Sequence, residues 1–159
     1  MSCPICSWSV DNQDYLLLQE SRYWRICLAP NQSLLGRCII HLKRHTGDLA
    51  NISENELLEF LIVVKNLEEA IRFTFGATMF NWSCYMNHFY RESPPNPHVH
   101  WWAVPRYGHA VTFRETLFED PHFGNPYDHY RVMTVSKDLI LHIAEVIKSR
   151  LLFPEKKTI

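Results

Sequence analysis

The chain has 159 residues, of which 47% are hydrophobic and 13% aromatic, and this composition excludes a disordered protein. Its 16 basic and 17 acidic side chains give a formal net charge of -1, which offers no basic surface to a phosphate backbone, so we predict no nucleic-acid partner. No window approaches the roughly 18 apolar residues of a membrane span, and the N-terminus lacks the features of a signal peptide. We therefore predict no membrane association and a cytoplasmic location.

The first part of the chain predicts three strands. Residues 14–30 form two apolar runs separated by a short turn at Glu20–Ser21, and a polar loop follows Pro30. The segment "LLGRCIIHL", residues 34–42, is mostly apolar and predicts a third, short strand.

A long helix follows. Ser53 as N-cap and Glu56 three residues later predict a capping box, and Gly76 stands where the helix ends. Apolar residues recur between them at helical spacing, so we predict an amphipathic helix that packs on a sheet through this face: Leu57, Leu61, Val64, Leu67, Ile71 and Phe75.

The second half predicts two more strands and a second helix. Residues 77–87 alternate as a strand does, a proline-rich turn follows, and residues 98–107 form the next strand. Residues 108–135 are largely irregular, and a C-terminal helix near 136–152 begins at Ser136. Strands followed by a helix, two strands and a helix predict a single α+β domain over 1–159 on an antiparallel sheet.

The five cysteines fall into two groups. An odd number argues against a closed disulfide framework and agrees with a reducing compartment. Cys27, Cys38 and Cys84 lie in apolar runs and are predicted to be buried thiols. Cys3 and Cys6 form a C-x-x-C pair near the N-terminus.

A C-x-x-C pair can place two thiolates on one tetrahedral metal ion. Cys3 and Cys6 then need two further ligands, and His45 and His98 are candidates because imidazole suits zinc. The alternative is a pair of incidental cysteines near a frayed terminus.

The segment "HVHWWAV" carries two histidines at alternate positions of a predicted strand. Alternate side chains share one face, so His98, His100 and Trp102 point the same way and can serve one site. The other interpretation is two half-buried histidines with local hydrogen bonds.

Together, "CPIC", "HLKRH" and "HVHWWAV" resemble the histidine triad (HIT) superfamily of nucleotide hydrolases and transferases, whose signature is His-φ-His-φ-His-φ-φ with φ apolar. The resemblance runs from Cys3 to about Arg106 and includes the long helix ahead of the motif strand. It implies a HIT-like antiparallel sheet of about five strands with one long helix and a C-terminal helix. It also implies a nucleotide-type substrate and a homodimer.

The resemblance implies a chemistry for the middle histidine, His100. A neutral imidazole there attacks the α-phosphate and forms a nucleotidyl-histidine, which splits one difficult displacement into two easier ones. Asn87, eleven residues before His98, matches an amide that orients the substrate; a strand-end asparagine that bonds its own backbone is the alternative.

The zinc-bearing branch of the family implies a structural Zn²⁺ site formed by Cys3, Cys6, His45 and His98. Four protein ligands leave no open position, so this zinc would tie the N-terminus to the motif strand without activating water.

Several positions depart from the family pattern. Trp102 replaces the third histidine, which normally helps bind phosphate, and its indole either stacks on a base or merely fills the sheet face. Ala29 falls where the family carries an acid or amide for the ribose hydroxyls, and Asn31 is a candidate substitute. Gly36-Arg37 replaces a usual Gly-His; Arg37 is a candidate phosphate ligand or else a solvated surface arginine.

Another departure precedes the triad. The family's Gly-Gln-Ser/Thr is replaced by "SPPNP", residues 93–97, so the phosphate-binding hydroxyl is lost at Pro95. Ser93 and Asn96 lie close by, and Asn96 is a candidate substrate ligand. These changes argue against a standard purine-nucleotide specificity.

Two functions remain open. The first is a nucleotide hydrolase or nucleotidyl transferase that cleaves a phosphoanhydride or phosphoramidate through a nucleotidyl-histidine intermediate. The alternative is a zinc-stabilised nucleotide-binding or interaction module that has lost catalysis. The remaining histidines receive no functional role and are predicted to be exposed or locally hydrogen-bonded: His41, His88, His109, His122, His129 and His142.

Overall fold

A computed structural model describes residues 3–6, 15–91 and 93–152 of the chain. The elements in chain order are β1 (Leu16–Glu20), β2 (Trp24–Leu28), β3 (Cys38–Leu42), α1 (Glu54–Phe75), β4 (Met79–Ser83), β5 (His100–Arg106), β6 (Val111–Phe113), β7 (Thr116–Phe118) and α2 (Lys137–Lys148). Short 3-10 turns lie at Leu49–Asn51 and Asn87–Arg91. The predicted α+β fold, with a five-stranded sheet, one long helix and a C-terminal helix, is confirmed.

The main sheet is antiparallel throughout, in the order β1-β2-β3-β5-β4. Alternation along β5 sends Trp101 and Ala103 towards the helices, where the Trp101 ring packs against Phe60 of α1 at 4.9 Å between centroids. His100 and Trp102 therefore point to the opposite face, which is the face that carries the site.

The ends of α1 form as the sequence predicts. Ser53 Oγ accepts from the Glu56 N–H, and the Glu56 carboxylate accepts from the Ser53 N–H, which completes the capping box. Gly76 ends the helix with a left-handed φ of 73°, a conformation that glycine adopts without steric cost.

The predicted buried face of α1 was partly wrong. Leu57 and Leu61 are 57% and 51% exposed, whereas Phe60 and Val63 pack on the sheet. The helix carries two overlapping apolar stripes, and periodicity alone does not tell which of them faces the sheet. The buried residues of α1 are Glu56, Phe60, Val63, Leu67, Ala70, Ile71 and Phe75.

The segment 108–135 contains a hairpin that the sequence analysis did not predict. β6 and β7 pair across a turn in which Arg114 and Glu115 have φ values of 45° and 64°. Such turns normally carry Asn or Gly, and neither is present here to signal the turn. The rest of the segment has no helix or strand. Ser136 then caps α2, which ends at Lys148.

All five cysteines have free thiols. Cys27 and Cys38 are buried as predicted, while Cys84 is half-buried. In the part of the chain that the structure describes, no helix has the length and apolar character needed to cross a membrane.

Candidate metal centre and histidine site

Four predicted ligands converge although they are distant in sequence. The ligand atoms of Cys3, Cys6, His45 and His98 all lie within 4.8 Å of one another. His98 Nδ1 is 3.4 Å from both sulfur atoms, and His45 Nδ1 is 3.5 Å from Cys6 Sγ. The structure thus brings the two N-terminal cysteines next to His45, in the loop after β3, and next to His98, two residues before β5.

These separations fit a tetrahedral zinc ion. With Zn–S near 2.3 Å and Zn–N near 2.0–2.1 Å, the sulfur-to-nitrogen edge of a tetrahedron is about 3.6 Å. The three S···N distances of 3.4–3.5 Å are close to that edge. A Cys₂His₂ donor set is also one that zinc prefers.

The tautomer of His98 supports a ligand role. Its Nε2 lies 2.7 Å from the Leu42 carbonyl oxygen, which can only accept, so Nε2 carries the proton. Nδ1 therefore presents its lone pair to the two sulfurs, in the arrangement typical of metal-bound histidine. The His98 side chain is fully buried, so this geometry is held tightly.

Without a metal, the Cys6 thiol keeps its proton at neutral pH. Burial, together with the hydrogen bond to Cys3, raises the pKa of Cys6 to about 11 in the absence of a metal. A cation between the sulfurs would displace these protons, since thiolates are the binding form.

His100 lies beside this cluster on β5. Its Nδ1 is 2.8 Å from the His98 carbonyl oxygen, so Nδ1 donates and Nε2 keeps a free lone pair in the neutral ring. Burial lowers the pKa of His100, which favours the neutral form. The side chain is 6% exposed, and the Phe89 ring approaches its face edge-on at 5.7 Å.

His41 also belongs to this group, although the sequence analysis gave it no role. It is the direct cross-strand partner of His100 and its ring lies 6.0 Å from that of His98. Burial lowers the pKa of His41 to about 4, so the ring is neutral at physiological pH. Pairing the "CIIHL" strand with the triad strand would have found it, because directly opposed residues share a face.

Trp102 and Arg37 meet on the same face of the sheet. The Arg37 guanidinium carbon lies 4.4 Å from the Trp102 ring centroid, a cation–π contact. Burial lowers the pKa of Arg37, but a guanidinium remains charged at neutral pH. The rings of Trp102 and His100 are also nearly perpendicular, with 6.4 Å between their centroids.

Three asparagines predicted from the sequence are placed differently. The Asn31 side chain donates to the Arg131 carbonyl and accepts from the Ser33 and Met133 N–H groups, so it fastens the irregular segment to the loop before β3. Asn87 is exposed at the start of its 3-10 turn, and Asn96 is half-buried in the loop before β5.

A cleft of about 480 Å³ lies between β4 and residues 124–129. Ser83, the cross-strand partner of Trp102, and Tyr127 line it, so the cleft adjoins the predicted site. Tyr85 and His129 add aromatic surface to its wall. Nothing in the irregular sequence around Tyr127 indicated that it approaches the sheet.

Solved structures of histidine triad proteins are similar to this fold. A hypothetical histidine triad nucleotide-binding protein from Sulfolobus tokodaii is 15% identical with a TM-score of 0.67, covering 94% of this chain and 91% of that one. A zinc-bound histidine triad family protein from Mycobacterium smegmatis is 18% identical with a TM-score of 0.55, covering 94% and 95%.

A third similar structure is the diadenosine triphosphate hydrolase of Plasmodium falciparum in complex with cyclomarin A, 12% identical with a TM-score of 0.58, covering 90% and 79%. No protein-family profile and no curated protein sequence matches the chain. Identities this low establish the fold alone: the chain has the histidine triad fold that its sequence predicts.

Proposed function

We propose that the protein is a nucleotide hydrolase or nucleotidyl transferase that cleaves a phosphoanhydride or phosphoramidate at the α-phosphate, with His100 as the nucleophile. One observation carries the proposal: the His98 carbonyl fixes the proton of His100 on Nδ1 and leaves the Nε2 lone pair for attack. The Sulfolobus protein is described as nucleotide-binding and the Plasmodium protein as a diadenosine triphosphate hydrolase, which supports a nucleotide substrate.

The chemistry needs two displacements. In the first, His100 Nε2 forms a bond to the α-phosphorus while the bond to the leaving group breaks and its electron pair departs with that group. In the second, water or another acceptor attacks phosphorus and loses its proton to the solvent, the N–P bond breaks, and its electron pair returns to Nε2. The Nδ1 proton stays shared with the His98 carbonyl in both steps, so the ring keeps its orientation.

The surrounding residues contribute unequally to substrate binding. Arg37 and Trp102 adjoin the nucleophile and are proposed to contact the substrate directly. Asn87 is exposed and free to orient a phosphate, and Asn96 lies in the loop that leads to the motif strand. Asn31 supports the site indirectly, because its side-chain hydrogen bonds already hold residues 131 and 133.

The Cys/His cluster is proposed to hold a structural Zn²⁺. Cys3, Cys6, His45 and His98 would occupy all four tetrahedral positions, so the ion would bind no substrate. Its contribution would be to fix His98, whose backbone in turn orients His100. The zinc-bound Mycobacterium structure supports the identity of the ion.

We also propose a homodimer that works in the cytoplasm. A cluster of exposed apolar side chains on one surface indicates an interface, and a second copy of the chain would cover the cluster on α1. Its five members are Leu57, Leu58, Leu61, Ile62 and Phe73. The five free thiols agree with a reducing compartment.

Two observations favour a second function. His100 is only 6% exposed, and Trp102 stands at the third histidine position of the motif. Both features agree with a site that binds a nucleotide without cleaving it. In that case the fold would serve as a zinc-stabilised nucleotide-binding or interaction module.

Product analysis separates the two functions. Wild-type protein, His100→Ala and the control His122→Ala, which removes an exposed imidazole, are each incubated with dinucleoside polyphosphates and nucleoside phosphoramidates of adenosine and guanosine. We expect nucleoside monophosphate from the wild type and the control, and a rate at least about a thousandfold lower for His100→Ala. Nucleotide that binds to the wild type and is returned intact would instead support the binding module.

A further inference from the structure

Arg37 is a half-buried cation in the loop that precedes β3. Among the residues that the structure describes, none forms an ion pair with its guanidinium, and its buried Nε–H has no acceptor. The buried Arg106, by contrast, is paired with Asp120. An unpaired donor and charge at such a position are costly unless a ligand satisfies them.

The side chain of Arg37 is held in place by Trp102. Ile39 is the cross-strand partner of Trp102, so Arg37, two residues before Ile39, lies diagonally across from the indole. The guanidinium rests over the ring at 4.4 Å and remains positively charged at any physiological pH. Trp102 therefore supplies no charge itself but positions one.

The backbone that carries Arg37 is also rigid. Gln32 is fully buried, and its amide donates to the Ala29 and Arg37 carbonyls while it accepts from the Gly36 N–H. Gly36 has a φ of 83°, which a side chain at that position would strain. The loop thus fixes Arg37 before any ligand arrives, which reduces the entropic cost of binding.

We propose that Arg37 and Trp102 form one anion-binding unit for the phosphate that departs from the α-phosphorus, so that the preferred substrates are phosphoanhydrides. The unit takes the place of the third histidine of the motif and rests on the proposed function of His100. Trp102 acts in it as a positioning residue, through Arg37.

The charge and protonation of the leaving group explain why this unit favours an anhydride. When His100 Nε2 attacks, the bridging P–O bond breaks and its electron pair remains on the departing phosphate oxygen, whose new charge Arg37 stabilises without a proton transfer. A phosphoramidate releases an amine, which must gain a proton as the P–N bond breaks. The indole of Trp102 cannot supply that proton as an imidazolium could.

Binding is measured first, in the His100→Ala background, by calorimetry with ADP and AMP. ADP carries a phosphate in the place of the leaving group and AMP does not. Arg37→Gln is expected to weaken ADP binding by about tenfold or more and to leave AMP binding nearly unchanged. The control Arg22→Gln, which removes an exposed guanidinium over Tyr23, should change neither affinity.

Two further results test the role of Trp102. Trp102→Phe keeps an aromatic surface and should retain most of the ADP affinity, whereas Trp102→Ala should lose as much as Arg37→Gln, with no additional loss in the double variant. In ¹⁵N–¹H spectra of His100→Ala, the Arg37 Nε–H signal should shift with ADP and not with AMP, which a merely structural tryptophan would not cause.

Rates of substrate cleavage provide a second test of the unit. Wild-type protein should cleave diadenosine triphosphate in preference to adenosine phosphoramidate, and Arg37→Gln should lose that preference. If no substrate is cleaved but Arg37→Gln still loses ADP affinity, the proposed function fails and the anion-binding unit stands. If, in the His100→Ala background, Arg37→Gln binds ADP as Arg22→Gln does, or ADP binds no better than AMP without a further substitution, the unit is refuted whether or not the wild-type protein is active.

Discussion

His98 joins the two sites through different atoms. Its Nδ1 faces the two cysteines, its Nε2–H donates to Leu42, and its backbone carbonyl accepts from His100. Together these contacts hold the chain just before β5 in one orientation. A metal ion on Nδ1 would therefore also steady the group that orients the nucleophile.

Removing one thiol should empty the metal centre. Cys3→Ser replaces a soft thiolate with a hydroxyl and leaves only three good ligands, so zinc content should fall from about one per chain to well below one. Inductively coupled plasma mass spectrometry on protein purified without added metal measures this. Cys84→Ser, which alters a thiol outside the cluster, should keep its zinc, and equal metal loss in both variants would contradict the assignment.

At the level of single residues, the groups with recognisable chemistry could be selected from the sequence as candidates. The four metal-cluster residues converge as predicted because ligand type and C-x-x-C spacing are visible in the sequence. His41 and Gln32 were missed because their importance comes from burial and from a cross-strand neighbour, which no local pattern encodes. The roles of His100 and Arg37 remain predictions.

In helix α1 the local sequence determines the ends, whereas tertiary contacts determine the buried face. Its capping box and terminal glycine are local features, so its ends could be read from the sequence. Which apolar stripe packs on the sheet depends on tertiary contacts, and the stripe through Leu57 and Leu61 proved to be the exposed one. The β6–β7 hairpin escaped prediction for a related reason, since Arg114 and Glu115 give no local signal for a turn.

The start of α1 should depend on pH through Glu56. Its carboxylate pairs with Arg44 and caps Ser53, and these contacts lower its pKa to about 2 from 4.5. Because the folded-state pKa is depressed, this stabilisation is complete above pH 4.5 and is lost as the pH falls towards 2. Glu56→Gln should lower the free energy of unfolding at pH 7 by about 1–3 kcal/mol.

Chemical denaturation at pH 7 and at pH 3 measures that difference. The destabilisation by Glu56→Gln should be smaller at the lower pH, where the wild-type carboxylate is itself losing its contribution. Glu69→Gln, an exposed change on the same helix, should have almost no effect at either pH. A Glu56 effect that is equal at both pH values would show that its charge does not matter.

The whole molecule presents two unequal faces to its surroundings. One face of the sheet packs on α1 and α2, and the opposite face carries the histidines, Arg37 and the adjoining cleft. Beyond the helix layer lies the exposed apolar stripe of α1. A dimer formed through that stripe would leave the site accessible, since the two surfaces lie on opposite sides of α1 and the sheet.

A charge on the exposed stripe should dissociate such a dimer. Leu61→Glu places a carboxylate in the proposed interface, where burial without a partner is unfavourable, but leaves the folded subunit intact because Leu61 is 51% exposed. Sedimentation velocity should show a dimer for wild-type protein and a monomer for Leu61→Glu. Leu141→Glu on α2, similarly exposed, should remain dimeric, and a monomeric wild-type protein would contradict the proposed assembly.

The central claim is that His100 forms a covalent bond to the nucleotide. Rapid acid-free quenching of wild-type protein with diadenosine triphosphate, followed by intact-protein mass spectrometry and peptide mapping, tests it most directly. We expect an adenylyl adduct that appears within the first turnover, maps to His100 and is absent from His100→Ala but present in His122→Ala. Release of AMP by wild-type protein with undiminished turnover in His100→Ala, or an adduct on another residue, would contradict it.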